Sequence, residues 1–366
     1  MLPRLREIVK AMYATVPTGV GAHRRDLRLS RHDLQGVLQD GAHWAVQRGF
    51  GTQEDLEAIE EGGRLNGADP SLVSDRAFER GNSQLGTLGS GNHFAELQYV
   101  AEIYDSAVAG AFGLRLDQVT VMIHSGSRGL GHQVCEDHLR IMISAAAKYG
   151  ISLPDRQLCC APINSPEGRA YLGAMSAAAN YAFANRQVMA HWVRESIARA
   201  MGMTVDQIRT RTVYDVCHNI AKIEEFDGHK LCVHRKGATR AYPPGHAQTP
   251  AAYRHVGQPV LIPGDMGRYS YVLVGTDRAY RDTFGSTCHG AGRRWSRSHA
   301  KRQATGHAVI SDLEARGVVV MAAGLATVAE EMPAAYKDVA DVVRVVHQAG
   351  LASRVAQLRP IGVIKG

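Results

Sequence analysis

The chain has 366 residues, of which 45% are hydrophobic and 21% are charged, which is ordinary for a soluble globular protein. Its 42 lysines and arginines against 35 acidic residues give a net charge of +7, consistent with an anionic partner such as RNA. No window approaches a membrane span, and the first residues lack the apolar core of a signal peptide, so the sequence argues against a membrane or secreted protein. The six cysteines form no Cys-x-x-Cys pair, and we expect free thiols in a reducing cytoplasm.

Hydrophobic periodicity predicts mainly helices with strands between them. Helices are predicted at 3–13, 31–48, 53–61, 71–79, 130–147, 168–200, 298–315 and 338–349. Strands are predicted at 119–123, 230–234 (after a charged turn), 271–274 and 318–321, with a further strand and turn in 260–267. Residues 151–166 are predicted to be a connecting loop, and the tail 360–366 has the pattern of a dispensable terminus. With no repeat or clear linker, the pattern favours one interwoven α+β domain over residues 1–366, with mixed sheets and surrounding helices.

A glycine-rich loop at 86–91 leads directly into Asn92, His93 and Glu96. Three glycines in six residues let backbone N–H groups approach a ligand closely. The loop lacks the Lys-Ser/Thr ending of a Walker loop, and it is not a Gly-x-Gly-x-x-Gly fingerprint. A lone His93 is typical of a structural histidine, and the neighbouring amide and carboxylate favour a binding role instead.

Two further histidines stand at similar positions. His124 follows the predicted strand 119–123, where α/β proteins commonly place ligand groups, and His218 stands beside Asn219. Imidazoles suit Mn, Zn, Fe, Ni or Cu. Sequence distance does not report spatial distance, so His93, His124 and His218 predict either a metal site or separate structural side chains.

His289 lies in the run CHGAGRR (288–294), and no acidic residue occurs between 283 and 311. A neutral imidazole beside such cations, with a metal nearby, suits attack on a nucleoside triphosphate: the nucleotide passes to His289 in a P–N bond and pyrophosphate leaves. The alternative is an ordinary tight turn, in which glycine-flanked histidines also occur. The chain has neither the Lys-x-Asp-Gly motif of lysine-nucleotidylating ligases nor the His-x-His-x-His run of histidine-triad hydrolases.

Six stretches, in order along nearly the whole chain, resemble motifs of the RtcB family. RtcB proteins are GTP-dependent RNA ligases that join a 3′-phosphate or 2′,3′-cyclic phosphate to a 5′-hydroxyl. The matching stretches are GTLGSGNHF (86–94), HSGSRG (124–129), HN (218–219), HRKGA (234–238), HGAGR (289–293) and KG (365–366).

The resemblance implies that GTP guanylylates His289 and that two manganese ions lie beside it, with His93 a ligand of one and His124 and His218 ligands of the other. GMP then passes to the RNA 3′-phosphate, and the 5′-hydroxyl displaces it. Further residues match positions that contact the nucleotide: Asn92, Glu96, Asp265, Gly290, Ala291, Gly292, Arg293, Tyr336 and Lys365. The implied partners are GTP and RNA with 3′-phosphate and 5′-hydroxyl ends, with an archease-type activator left open.

Two departures from the family pattern matter. Asp265 stands where the family has a serine, although an aspartate can still accept from guanine N–H groups. The family's N-terminal block, with an aspartate and a cysteine that ligate manganese, is not found. We therefore expect an N-terminally truncated chain that keeps one protein ligand for the first ion and two for the second, and that exposes apolar surface. The alternatives are a degenerate member that binds guanine nucleotide or RNA without ligating, and a metal-dependent phosphohydrolase.

Overall fold

The computed structural model describes residues 2–24 and 26–366 and mixes helices with strands, as the α+β prediction requires. The α-helices are α1 (Leu5–Thr15), α2 (Arg31–Asp40), α3 (Ala42–Gln47), α4 (Gln53–Glu57), α5 (Asp75–Gly81), α6 (Ser106–Phe112), α7 (Arg128–Lys148), α8 (Pro166–Met201), α9 (Val205–Ile208), α10 (Asp277–Asp282), α11 (Arg297–Gln303), α12 (Gly306–Ala315), α13 (Leu325–Glu330) and α14 (Val339–Gln348). The strands are β1 (Phe94–Ile103), β2 (Val119–His124), β3 (Asn219–Phe226), β4 (His229–Lys236), β5 (Ala238–Arg240), β6 (Pro259–Ile262), β7 (Ser270–Gly275), β8 (Ser286–Cys288), β9 (Val319–Ala322) and β10 (Ala352–Lys365).

The longest element, α8, lies between the other helices and the main sheet. Ser165 caps it by accepting from the Gly168 N–H, Pro166 occupies the first turn, and Gly202 ends it in the left-handed conformation with φ 69°. One alanine-rich face packs against α2, α3, α5 and α7, and another contacts α1 and the sheet. No helix in the described ranges is long and apolar enough to cross a membrane.

Three of the predicted helices are divided or shortened. The helix at 31–48 breaks at Gly41, where φ is 57° and a Cβ would lie 2.3 Å from a backbone carbonyl. The region 298–315 breaks at Ala304, which is extended and precedes the Thr305 cap of α12. The helix expected at 53–61 ends at Glu57. The other helices and the strand at 119–123 are confirmed to within a few residues.

The main sheet has the strand order β2-β1-β10-β7-β6, with β9 parallel to the end of β10. The 14-residue β10 is its central strand, and all its residues from 360 onwards are buried. The tail therefore belongs to the core, as the match of Lys365 to a nucleotide-contact position implies, although its pattern alone is that of a dispensable terminus. Pro360 makes this strand hard to recognise in the sequence. The pairing with β1 changes register beside it, because Leu97 lies opposite Gly362 and Gln98 lies opposite Pro360, which leaves one extra residue in β10.

Two small sheets complete the architecture: the β3–β4 hairpin and the pair β5–β8. β3 occupies the region that was expected to be a charged turn. Two of its charged residues are buried as ion pairs: Lys222 Nζ lies 2.8 Å from Glu60 Oε1, and both oxygens of Glu224 lie 2.7 Å from the Arg235 guanidinium. Because charged residues occupy inward positions, β3 lacks the apolar alternation that would have revealed it.

The buried Glu60 carboxylate supports the segment that carries His218. Its Oε2 accepts from the Cys217 N–H at 2.8 Å. Burial opposes its ionisation, but the charges of Lys222 and Arg240 outweigh burial and lower the pKa of Glu60 from 4.5 to about 2. Because the folded-state pKa is the lower one, the resulting stabilisation is complete above the ordinary pKa and is lost as the pH falls towards 2.

Replacing Lys222 with methionine keeps the apolar stem and removes one of the cations that hold Glu60. We expect the free energy of unfolding to fall by about 3 kcal/mol, the lower end of the cost of breaking a buried pair, because Arg240 remains. Lys230→Met, at an exposed position of β4, is the matched control and should stay within about 0.5 kcal/mol of the wild type. Urea denaturation compares the two, and equal stability would contradict a stabilising role for this pair.

Candidate active site

Strand register brings the predicted site residues together at one end of the main sheet. Phe94, the first residue of β1, lies opposite Lys365 of β10 on one side and His124 of β2 on the other. His93 directly precedes this strand, and Glu96 follows Phe94 on the same face. Side chains that are far apart in the sequence thereby become cross-strand neighbours.

Four histidines form one cluster beside this end of the sheet. The Nε2 atoms of His124 and His218 are 3.0 Å apart. The ring centroids of His218 and His289 are 4.3 Å apart, and those of His93 and His124 are 5.6 Å apart. The structure thus brings the three predicted metal ligands and the predicted nucleophile into one cluster, in which His218 lies next to His289.

The two loops that carry the first two histidines are held by Asn185, a fully buried residue of α8. Its Oδ1 accepts from the N–H groups of Gly86 and Thr87 at 2.7 and 3.1 Å, and its Nδ2 donates to the Gly126 carbonyl at 3.0 Å. The sequence analysis missed this residue. The available signal was an asparagine inside an alanine-rich helix, because asparagine has a low helix propensity and is unfavourable there unless its side chain makes hydrogen bonds elsewhere in the protein.

The histidines of the cluster are neutral at neutral pH. Burial is the main cause: it lowers the pKa of His93 to about 4 and that of His218 to about 3, with neighbouring cations adding to the effect. Burial also lowers the pKa of His124 well below its usual value, and burial together with the charge of Lys236 lowers the pKa of His289. Each ring therefore has a lone pair that a metal ion or a phosphorus atom can take.

His289 directly follows β8, whose pairing with β5 places Cys288 opposite Ala238. The loop after it turns at Gly292, where φ is 72°, a conformation that glycine adopts at little cost. The Gly292 carbonyl accepts from the Lys337 N–H at 3.0 Å. The glycines of the motif thus let the loop fold back against the segment that carries Tyr336.

A pocket of about 160 Å³ opens beside His289. It is lined by all the predicted nucleotide contacts, namely Asn92, Glu96, Asp265, Gly290, Ala291, Gly292, Arg293, Tyr336 and Lys365. It is also lined by residues that the sequence analysis did not select, among them Phe94, Ser270, Arg297 and Glu331. Small-molecule sites typically exceed about 300 Å³, so a nucleotide bound here also requires some pocket side chains to shift.

The pocket holds a buried acid and a buried base. Burial raises the pKa of Glu96 to about 8, and burial lowers the pKa of Lys365 to about 8. The Nε2 of Gln98 donates to Glu96 Oε1 at 2.6 Å and to Ser270 Oγ at 3.1 Å, which fixes the orientation of the carboxyl group. Both groups can therefore change protonation state close to physiological pH.

Glu331 is a buried pocket residue that the sequence analysis missed. Its carboxylate accepts from the Tyr336 hydroxyl, and it lies 3.1 Å from Arg293 Nη1 and 3.4 Å from Arg297 Nε. One acid thus aligns two arginines and a tyrosine along a single wall. In the sequence, only its position five residues before Tyr336, a predicted nucleotide contact, pointed to a role for Glu331 in the pocket.

A larger groove, of about 1680 Å³, runs from the histidine cluster along β2. Val119, Val121 and Ile123 line it and are only half-buried. Arg186 and Lys236 also line it. The groove therefore combines an apolar wall with cations near the site.

The donor set of the cluster fits a divalent cation in part. Within the described chain, the Nδ1 atoms of His93 and His218 are buried without a hydrogen-bond partner, and the facing Nε2 atoms of His124 and His218 can direct lone pairs at one ion. No group of three or more His, Cys, Asp or Glu residues among positions 2–24 and 26–366 is arranged to hold a metal. An ion on His124 and His218 would need oxygen ligands from substrate or water.

Comparison with known proteins extends over the whole chain. A family model described as "RtcB: tRNA-splicing ligase RtcB" matches residues 1–366. The tRNA-splicing ligase RtcB of Archaeoglobus fulgidus is 55% identical over 368 residues, which cover 100% of this chain and 76% of the relative. The RtcB of Thermococcus kodakarensis gives the same values, and that of Methanococcus maripaludis is 50% identical with the same coverage.

Each of these matches includes the full length of this chain and 76% of the relative, and the expected N-terminal truncation stays a prediction. The comparisons do confirm the resemblance inferred from the six motifs. An identity of 50–55% over this length reflects common descent as well as a shared fold. The chain belongs to the RtcB family.

Proposed function

We propose that this chain is a GTP-dependent RNA ligase that joins an RNA 3′-phosphate or 2′,3′-cyclic phosphate to a 5′-hydroxyl through GMP bound covalently to His289. The observation that carries the proposal is that His289 lines both the small pocket and the large groove. Its imidazole can therefore take a nucleotide on one side and pass it to a nucleic-acid end on the other. Relatives named tRNA-splicing ligases support the same class of reaction.

Nucleotide transfer to His289 requires an unprotonated ring nitrogen, which the lowered pKa of this residue favours. The nitrogen attacks the α-phosphorus of GTP, the P–N bond forms, and the bond to the β-phosphate oxygen breaks, so that pyrophosphate leaves. Arg293, whose guanidinium is held by Glu331, is suited to neutralise the charge on the phosphates.

RNA then takes the nucleotide from His289; a 2′,3′-cyclic phosphate must first be opened by water, which breaks the bond from phosphorus to the 2′-oxygen and leaves the 3′-phosphate. An oxygen of the RNA 3′-phosphate attacks the phosphorus of the bound GMP, and the P–N bond breaks, which returns the lone pair to the imidazole. The 5′-hydroxyl of the second RNA end attacks the 3′-phosphorus and expels GMP, leaving a phosphodiester. Arg186 and Lys236, which line the groove, are suited to contact the RNA backbone.

We further propose that manganese binds at the histidine cluster, with His93 a ligand of one ion and His124 and His218 ligands of a second. Manganese there would neutralise phosphate charge and polarise the phosphorus under attack. Burial keeps these imidazoles neutral and available as ligands.

We place the activity in the cytoplasm, because all six cysteines of the chain are free thiols. GTP and RNA ends are the partners that this reaction requires. The need for an archease-type activator stays a prediction.

Covalent labelling tests the role of His289. With α-labelled GTP and Mn²⁺, the wild type should acquire an acid-labile label, and His289→Ala should show none because the attacking nitrogen is gone. His307→Ala, at an exposed position of α12, should label normally. Equal labelling of the wild type and His289→Ala would rule out this nucleophile.

RNA joining separates the ligase from the two alternatives. An RNA with a 3′-phosphate and a 5′-hydroxyl should be joined in a reaction that consumes GTP and releases GMP. A degenerate binder would bind nucleotide or RNA and leave the ends unjoined, and a phosphohydrolase would release phosphate without joining. Either result in place of joining would overturn the proposal.

The pH dependence of GTP binding tests Glu96. Its pKa of about 8 means that it is mostly protonated in the empty pocket at neutral pH, whereas guanine N–H donors require the carboxylate. Binding should release a proton, so the affinity should rise towards pH 8, by up to about tenfold per pH unit.

Glu96→Gln should weaken binding and remove this rise. Above about pH 8, loss of the Lys365 charge should weaken binding again in both proteins. Glu102→Gln, at an exposed position of the same strand, should behave like the wild type. Calorimetric titration with GTP gives the affinities, and the same rise in Glu96→Gln as in the wild type would contradict the role of Glu96.

A further inference from the structure

The carboxylate of Asp265, in the turn between β6 and β7, is engaged within the protein. Oδ1 accepts from the backbone N–H groups of Gly267 and Arg268 at 3.0 and 3.1 Å, and Oδ2 accepts from Arg268 Nε at 2.5 Å. The side chain is 0% exposed. Asp265 lines the pocket, but both of its oxygens already have donors.

The far end of Arg268 reaches the segment 333–338, which carries Tyr336. Nη2 donates to the carbonyls of Pro333 and Tyr336 at 2.9 and 3.3 Å, and Nη1 lies 3.5 Å from Asp338 Oδ2. The carbonyls of Pro333 and Tyr336 therefore depend on the guanidinium of Arg268 staying in position as their hydrogen-bond donor. Asp265 fixes that donor, because it holds the guanidinium from the other side.

The segment 333–338 is also attached to the loop that follows His289. The Lys337 N–H donates to the Gly292 carbonyl at 3.0 Å, and the Arg294 N–H donates to the Ala335 carbonyl at 2.9 Å. The segment is therefore held both by Arg268 and by the loop that contains Arg293, the arginine proposed to bind phosphate.

We propose that Asp265 and Arg268 form a positioning clamp for nucleotide binding: Arg268, oriented by Asp265, holds the segment 333–338 against the pocket so that Tyr336 stays in place, and Asp265 does not read the guanine base. This inference rests on the proposed function of the pocket. Base recognition then belongs to Glu96, which Gln98 orients. A clamp affects every nucleotide alike, whereas a base-reading residue affects the choice between bases.

Binding of GTP and of ITP, which lacks the 2-amino group of guanine, separates the two roles. Arg268→Met and Asp265→Ala should raise the Kd of both GTP and ITP by about tenfold, as expected for the loss of one or two hydrogen bonds. The ratio of the Kd for ITP to the Kd for GTP should stay unchanged. Arg268→Lys, which keeps the charge but not the fork of donors, should fall between them and the wild type. Glu96→Gln should weaken GTP more than ITP and so reduce the ratio.

Arg316→Met, which removes an exposed pair with Asp312 on α12, is the matched control and should bind both ligands normally. The clamp is wrong if Asp265→Ala reduces the ratio as Glu96→Gln does, or if Arg268→Met binds like the wild type. A wild type that binds neither nucleotide would instead overturn the proposed function.

A readout without nucleotide keeps the clamp testable in that case. The N–H groups of Tyr336 and Lys337 are hydrogen-bonded within the protein. Hydrogen exchange at these two amides should be faster in Arg268→Met than in the wild type, while exchange in β10 should not change. Unchanged exchange at both amides in a folded variant would overturn the clamp.

Discussion

The backbone hydrogen bonds of β10 are the interaction on which both the sheet and the site depend. One edge of this strand pairs with β1, and the other pairs first with β7 and then with β9. A buried strand must satisfy its backbone polar groups, and these three partners do so along most of its length. Because Lys365 faces Phe94 in this register, the pocket forms only when β10 is correctly placed. A slip of one residue would turn Lys365 to the opposite face.

Charges in the site are largely compensated before any ligand arrives. Glu331 pairs with Arg293 and Arg297, and Asp265 pairs with Arg268, while burial keeps the four histidines neutral. A nucleotide phosphate that meets these arginines therefore exchanges one partner for another. Such exchange contributes less to affinity than a free cation would, but it holds each guanidinium in position in advance. The ion pairs therefore fix the orientation of the guanidinium groups at some cost in the affinity for the nucleotide.

The sequence predicts what local chemistry decides. Helix periodicity predicted α8 from residue 168 onwards, and contiguous motifs predicted His289 as the nucleophile together with the histidines that lie near it in the structure. Features that depend on partners far away in the sequence were not predicted. β3 was missed because Lys222 and Glu224 look like solvated charges until their buried partners are known. Asn185 and Glu331 were missed for the same reason, since a polar side chain gives no sign in the sequence of which backbone groups or arginines it meets.

The position of β10 along the chain also affects synthesis. Roughly 250 residues separate the end of β1 from the start of β10. At typical elongation rates β1 and β2 leave the ribosome about 10–50 s before their sheet can close. During that interval β1 lacks the central partner of the finished sheet and its apolar side chains lack their core, so we expect the nascent chain to be prone to aggregation until β10 has been made.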